Sequence, residues 1–211
     1  MNYSEITQAA LSFADRFDTG TIGNLNVFLR MIEAKVNRVM RAQQMELSDA
    51  ILVDPDVNHF HLPLDCAEVR SVGLFTNFDT KRMQFVTLAQ FSKIVADKVQ
   101  PSGDISGYYT FIDDLVYVYP VSTTDAVYGI VYYAKIPPLL PTSPDDTNWL
   151  SEQYPDIYIS GLVFEINAYT KNPDASSNWS ERFNSALNEL TEQNWLRKWP
   201  GASLVMSIED N

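Results

Sequence analysis

The residues with the clearest chemical potential are the two histidines and the single cysteine of the chain. His59 and His61 lie two residues apart in a segment that alternates polar and apolar residues, so both side chains would project from the same face of a strand. Cys66 follows five residues later, and imidazole and thiolate groups are good ligands for zinc. This pattern permits a small metal-dependent hydrolase centred on these three residues. Because no fourth ligand has a spacing typical of zinc sites, we favour two half-exposed strand histidines before a turn.

Carboxylates are the next candidates for chemistry. Asp113-Asp114 and Asp145-Asp146 are adjacent pairs, and Asp54 and Asp56 are two residues apart. Acid–base catalysis needs facing carboxylates with separated pKa values, whereas these groups lie in predicted turns, where aspartate is favoured for local hydrogen bonds. The sequence has no G-x-S-x-G elbow, no phosphate-binding glycine loop and no H-E-x-x-H helix. We therefore expect no catalytic residue, no cofactor and no metal, and a protein that is not an enzyme.

A basic helix face is a candidate interface. Arg30, Arg38 and Arg41 lie opposite the apolar stripe of a long predicted helix over residues 21–41, with Lys35 at the border. We rank a solvated face first, a protein interface second and a nucleic-acid interface third. The protein partner could be the acidic C-terminal third of a neighbouring copy. The net charge of −12 argues against a surface built to grip nucleic acid.

Tyrosines form a second candidate interface. They crowd a predicted three-stranded meander over residues 108–134, where Tyr117, Tyr119 and Tyr132 are our representative candidates. Tyrosine suits an interface because it is large, mostly apolar and able to form hydrogen bonds. The equally good alternative is a thin sheet whose tyrosines shield its edges.

The predicted elements that position these residues follow a simple order. Helical periodicity indicates two helices in residues 1–45, and period-two patterns indicate a β-rich region with one helix in residues 46–140. Residues 141–201 read as C-terminal helices and residues 202–211 as a tail. The predicted fold class is α+β, with a helical bundle formed by the N- and C-terminal helices and an inserted antiparallel β-rich region.

Composition limits the class of protein further. The chain has 211 residues, of which 45 % are hydrophobic, enough for a core. No apolar run approaches the roughly 20 residues of a membrane helix, and the N-terminus lacks the features of a signal peptide. One cysteine excludes an intrachain disulfide. We expect synthesis in the cytosol and no association with membranes.

Several stretches in a fixed order resemble a known family. The most specific pieces are E-A-K-V-N-R-x-M-R at residues 33–41, Y-Y-A-K-I-P-P at residues 132–138 and N-W-L followed by P-D-I-Y-I-S-G in residues 148–161. The N-terminal helix, residues 62–74 and a closing helix complete the series. The pattern, which covers nearly the whole chain except the last ten residues, resembles the head-to-tail adaptor, or connector, proteins of short-tailed bacteriophages.

The resemblance implies a structural role in the virion. Such adaptors form a twelve-subunit ring that joins the portal protein to the tail nozzle protein, with tail fibre proteins as further candidate partners. DNA passes through the ring without sequence-specific binding, and the family has no catalytic residues to transfer. The tail is a candidate portal-docking segment because Leu204, Val205 and Ile208 would be exposed hydrophobes on a free chain.

Overall fold

The computed structural model describes residues 1–76 and 79–198, which divide into two compact units. Residues 1–44 and the described residues from 136 onward form a helical unit, and residues 45–135 form a sheet unit. The elements in chain order are α1 (Tyr3–Ala14), α2 (Thr19–Val39), a 3₁₀ turn (Gln43–Met45), β1 (Glu46–Val53), β2 (His59–His61), β3 (Cys66–Thr76), β4 (Asp79–Phe85), α3 (Leu88–Ala96), β5 (Gly107–Ile112), β6 (Leu115–Tyr119), β7 (Ala126–Ala134), α4 (Trp149–Gln153), α5 (Pro155–Tyr169) and α6 (Pro173–Lys198).

The first two helices begin at side-chain caps. Asn2 caps α1 in a reciprocal capping box with Glu5, so the cap precedes Ser4, the residue whose type suggested a helix start. Asp15 ends α1 in the left-handed conformation, with φ at 50°. Asp18 then accepts a hydrogen bond from the backbone N–H of Thr21 at 2.8 Å and caps α2. That hydrogen bond holds the pKa of the Asp18 carboxyl below its usual value.

Helix α5 is the centre of the helical unit. Its side chains Ile157, Leu162, Val163 and Ile166 are buried, and α1, α2 and α6 all pack against it. Pro155 occupies the first turn, as the sequence predicts, because that position has no intrahelical N–H bond to lose. An apolar helix surrounded by three others is the expected solution for burying a helix that is hydrophobic on most sides.

The proline-rich connector over residues 136–144 is fixed to α2 by two side chains one helical turn apart. Asn37 Oδ1 accepts the backbone N–H of Ile136, and Glu33 Oε1 accepts that of Leu139, both at 2.8 Å. Desolvation raises the pKa of the buried Glu33 carboxyl, and the Leu139 N–H partly opposes that shift. The connector is therefore held by side chains where prolines remove backbone donors.

The sheet unit contains, within the described residues, one sheet of seven strands in the order β1-β7-β3-β4-β5-β6-β2. Its edge strands β1 and β2 approach each other, so the sheet is a nearly closed barrel. Alternate residues of the strands point inward and form one core, which includes Val72, Val116, Tyr128 and Ile130. This two-residue period is the one expected for strands with one buried face.

The predicted fold class is wrong. The structure is a mixed α/β fold with the barrel-like sheet and, in the described part of the chain, six helices; it is not a helical bundle with an inserted antiparallel region. β4 and β5 are parallel neighbours, and the chain passes from one to the other through α3, the kind of crossover that parallel strands need. The sequence reading also missed β1, whose residues are mostly exposed and do not alternate clearly. The predicted three-stranded meander over residues 108–134 is also wrong in its last step, because β6 pairs with β5 and β2, whereas β7 pairs with β1 and β3.

Among the described residues, no helix combines the length and the apolar character that crossing a membrane requires.

Candidate interaction surfaces

The structure does not bring the histidines and the cysteine together. His59 and His61 flank the buried Phe60 on β2, so they lie on the outer face of the strand, as the spacing predicts. Cys66 is partly buried against the core of the sheet. Burial, reinforced by the carboxylate of Asp65, raises the pKa of the Cys66 thiol, which makes its thiolate less available as a ligand or nucleophile.

Each histidine has a local partner. The His59 ring stacks on Tyr117 with centroids 5.4 Å apart, and its Nδ1 lies 3.1 Å from Asn58 Oδ1. His61 Nδ1 lies 3.1 Å from Asp114 Oδ2, and both side chains are exposed. In residues 1–76 and 79–198 no group of three or more potential ligands is arranged to hold a metal ion. None of these contacts favours the hydrolase alternative.

The paired aspartates lie in turns and connectors. Asp113 adopts the left-handed conformation between β5 and β6, and the Asp114 backbone carbonyl accepts the N–H of Leu62. Asp145 accepts a hydrogen bond from Asn2, and Asp146 accepts the backbone N–H of Leu140. The Asp146 contact is a local bond of the kind for which turns select aspartate, whereas the Asp145 and Asp114 contacts join segments distant in sequence.

The outer face of α2 carries the predicted basic residues together with apolar ones. Arg30 and Arg38 are exposed, as are Val27 and Met31 on the same side of the helix. Arg38 bends back, donating from Nε to the carbonyl of Ala34 at 3.2 Å. Singly exposed apolar residues are common on protein surfaces, so the ranking of a solvated face, a protein interface and a nucleic-acid interface stays a prediction.

Arg41 lies just beyond α2. Its guanidinium donates to the carbonyls of Asn37 and Met40 at 2.9 and 2.6 Å, which satisfies acceptors at the helix C-terminus. Because these bonds hold the side chain against its own chain, Arg41 has a local structural role; its role at an interface stays a prediction.

The candidate tyrosines occupy different environments. Tyr117 and Tyr119 are half-buried on the outer face of β6 and alternate with the inward-pointing Val116 and Val118. Tyr132 is only 5 % exposed and belongs to the core, where its hydroxyl donates to Asp65 Oδ1 at 3.2 Å. Burial and the Asp65 carboxylate raise the pKa of Tyr132 to about 12, so its hydroxyl stays protonated at neutral pH.

The sequence reading missed a depression on the outer face of the sheet. It has a volume of about 720 Å³ and a floor of small residues, among them Ala50, Gly73 and Gly129, which are neighbours across β1, β7 and β3. Phe75 forms one side, since a Cβ on Gly129 would lie 2.7 Å from its ring. Glycine within a strand pattern was the available signal, because it marks close approach to a backbone.

A second missed feature is a groove of about 320 Å³ within the helical unit, between α1, α5 and α6. Its apolar lining is Phe13, Ile159, Trp179 and Ala186, and the Phe13 and Trp179 rings lie 5.8 Å apart. In the sequence, Phe13 and Trp179 each lie on the apolar side of a helically spaced pattern, which predicts that both are buried. The structure leaves Phe13 exposed and Trp179 half-buried, because the two rings cover the edge of the bundle rather than its centre.

The remaining candidates Leu204, Val205 and Ile208 lie outside the described residues.

Comparison with known proteins gives one clear match. The family model described as SU10 adaptor protein matches residues 1–206, whereas no curated protein gives a significant match. The match spans both units of the fold and confirms the resemblance to phage head-to-tail adaptors. The chain belongs to the SU10 adaptor protein family and is a structural component of a bacteriophage virion.

Proposed function

We propose that the protein assembles into a twelve-subunit ring that joins the portal protein to the tail nozzle protein of a short-tailed phage and surrounds the DNA channel. The observation that carries this proposal is the family match over residues 1–206. Exposed apolar and basic residues on α2, the apolar groove in the helical unit and the depression in the sheet offer separate surfaces for neighbours.

The net charge supports passage of DNA without binding. Each copy carries −12, and a ring multiplies that charge around its axis. A negative field repels phosphates, so DNA entering the channel would slide rather than adhere. We expect no sequence-specific DNA binding at physiological salt, measured by fluorescence anisotropy with labelled duplexes. Tight, salt-sensitive binding would contradict this part of the proposal.

The assembly experiment mixes the purified protein with the portal ring of the same virus and determines the mass and symmetry of the product by native mass spectrometry and electron microscopy. The expected result is weak self-association alone and an ordered dodecamer on the portal. A second mixture adds the nozzle protein, which should bind only the assembled ring. A protein that stays monomeric with the portal at high concentration would overturn the proposal.

The C-terminal tail is the proposed portal-docking segment. Deletion of residues 202–211 should weaken portal binding, because Leu204, Val205 and Ile208 are apolar residues that a partner surface could bury. The control replaces Ser203 and Ser207 by alanine, which alters the tail without removing those hydrophobes. Unchanged binding after the deletion would remove the tail from the proposal.

A further inference from the structure

We infer that Asp49 keeps the free edge of β1 from pairing with a strand of another copy of this chain. This inference concerns the unassembled protein and goes beyond the proposed function. Three observations carry it: the position of β1 in the sheet, the direction of its backbone groups and the contacts of the Asp49 carboxylate.

The sheet ends at two edge strands of unequal length. β2 has three residues, His59–His61, and it is followed by Pro63, which has no N–H to offer a further strand. β1 has eight residues, Glu46–Val53, and residues 47–50 are exposed throughout. β1 therefore presents the longer uncovered edge, the kind of edge that pairs readily with other chains.

Alternate residues of β1 direct their backbone N–H and C=O groups away from β7. The N–H of Lys135, just after β7, donates to the Asp65 carbonyl on the β3 side at 2.7 Å. Successive residues of a strand point their N–H groups to opposite sides, so Ile130 of β7 points toward β1, where it pairs with Asp49. Ala50, the next residue of β1, therefore turns its N–H group to the free edge.

The Asp49 carboxylate occupies this edge in two ways. Its Oδ1 accepts the Ala50 N–H at 2.7 Å, so a donor that a partner strand would need is already bonded. Strand alternation also places the Asp49 side chain on the same face as Ile51 and Val53, which belong to the core side of the sheet. Besides burial, the Asp49 carboxylate contributes to the raised pKa of the core residue Tyr132, which agrees with this inward position.

A strand added at this edge would displace the Ala50 bond and cover the carboxylate of Asp49. Covering a charge without a partner of opposite sign is costly, and an inward-directed charge is one means by which edge strands avoid pairing. Asp49 is also the only charged residue between Glu46 and Asp54. Without it, residues 47–53 would be an uncharged and mostly apolar run, the composition that favours pairing between chains.

Removal of the carboxylate tests the inference. Asp49→Val leaves the Ala50 N–H without its acceptor and makes the inward side of β1 apolar; the position is exposed, and circular dichroism verifies folding. Analytical ultracentrifugation over a range of concentrations measures self-association. We expect a dissociation constant between copies that is lower than that of the wild type by about tenfold or more, because the edge can then form backbone hydrogen bonds with a second strand.

Two matched controls separate the carboxylate from other effects of this change. Ser48→Val adds the same side chain to the same exposed stretch of β1 and leaves Asp49 in place, so it should behave like the wild type. Asp49→Lys removes more negative charge than Asp49→Val but keeps a charge at the edge, so it should also stay unpaired. If weaker repulsion between acidic copies were the cause, Asp49→Lys would associate at least as strongly as Asp49→Val.

Amide hydrogen exchange, followed residue by residue by nuclear magnetic resonance, identifies the edge involved. In an unpaired Asp49→Val protein the Ala50 N–H should exchange faster than in the wild type, because its acceptor is gone. In a protein paired through β1, the N–H groups of Ser48 and Ala50 should exchange more slowly. Association with this protection supports the inference. A monomeric Asp49→Val, either control that associates as strongly as Asp49→Val, or association that leaves both amides unprotected overturns it.

Discussion

Ile32 of α2 packs directly onto the backbone of α5 at Gly161. A Cβ placed on Gly161 would lie 3.0–3.2 Å from three side-chain carbons of Ile32, closer than ordinary van der Waals contact. Glycine inside a helix costs about 1 kcal/mol relative to alanine, so the close helix packing has to offset that cost. This contact joins the longest apolar stripe of the N-terminal region to the central helix.

Gly161→Val should destabilise the protein by about 1–3 kcal/mol, because the added carbons overlap Ile32 in a packed interface. Urea unfolding followed by circular dichroism measures the change. Combining Gly161→Val with Ile32→Ala should return part of the lost stability, since the second substitution removes the atoms in contact. Two losses that simply add would contradict the contact.

Gly23→Ala is the matched control on the neighbouring helix. A Cβ at Gly23 meets no atom within 4 Å, so the substitution only improves helix propensity. We expect stabilisation of about 0.5–1 kcal/mol in the same urea experiment. Destabilisation at Gly23 would show that helical glycines act here through something other than packing.

The close approach at Gly161 was predictable from the sequence, and so were most helices and the strands β6 and β7. Amphipathic periodicity is local, so a sequence of 15–20 residues reveals it. The strand order was not predictable, because pairing depends on contacts between distant residues: β7, predicted as the strand that follows β6 in a meander, pairs with β1 and β3 instead. β1 was not predicted because three consecutive residues, Ser48, Asp49 and Ala50, are exposed and leave no alternating apolar pattern.

The interaction surfaces were predictable only in part. The arginines on the outer face of α2 follow from helical spacing, but the exposure of Val27 and Met31 beside them does not. The groove was not predictable, since it needs Phe13 and Trp179 to meet across α1 and α6, more than 160 residues apart in sequence. Helical periodicity states which face is apolar, and cannot state how far neighbouring helices cover it.

Asn148 joins the connector to the helices through three hydrogen bonds. Its Oδ1 accepts the Ser151 N–H at 2.8 Å, and its Nδ2 donates to the Pro137 carbonyl and the Tyr158 hydroxyl at 2.7 and 2.9 Å. Asn148→Asp keeps the helix cap, removes both donors and places a charge in a buried site. We expect a loss of about 1–3 kcal/mol at neutral pH in urea unfolding, with recovery toward acidic pH as the carboxyl becomes protonated.

The matched control for Asn148 is Asn188→Asp, the same change at an exposed position of α6. It should alter stability by less than about 0.5 kcal/mol. Equal effects at the two positions would mean that the donors of Asn148 contribute nothing.

Two glycines of the sheet unit should differ in their tolerance of alanine. At Gly107 the new Cβ would lie 2.6 Å from the backbone carbonyl oxygen of Tyr119, whereas at Gly129 it would meet the ring of Phe75 at 2.7 Å. Phe75 is half exposed and its ring can turn away, but a paired strand cannot. Gly107→Ala should lower the thermal midpoint clearly more than Gly129→Ala. The reverse order would contradict this distinction between backbone and side-chain contacts.

Because of Glu33, the stability of the helical unit should fall as the pH rises through the range in which carboxyl groups titrate. Burial raises its pKa in the folded protein, while the unfolded chain has the ordinary value of about 4.3. The folded state therefore binds the proton more tightly than the unfolded state. The resulting stabilisation is complete below the unfolded pKa and is lost as the pH rises through the folded pKa.

Glu33→Gln keeps an oxygen for the Leu139 N–H and cannot titrate. In urea unfolding between pH 4 and 7, the free energy of unfolding should decline less steeply with pH for Glu33→Gln than for the wild type. Glu33→Leu should also decline less steeply, and it should be less stable at every pH because the Leu139 N–H loses its acceptor. If the wild type and Glu33→Gln run parallel across this range, the buried carboxyl does not govern the pH dependence.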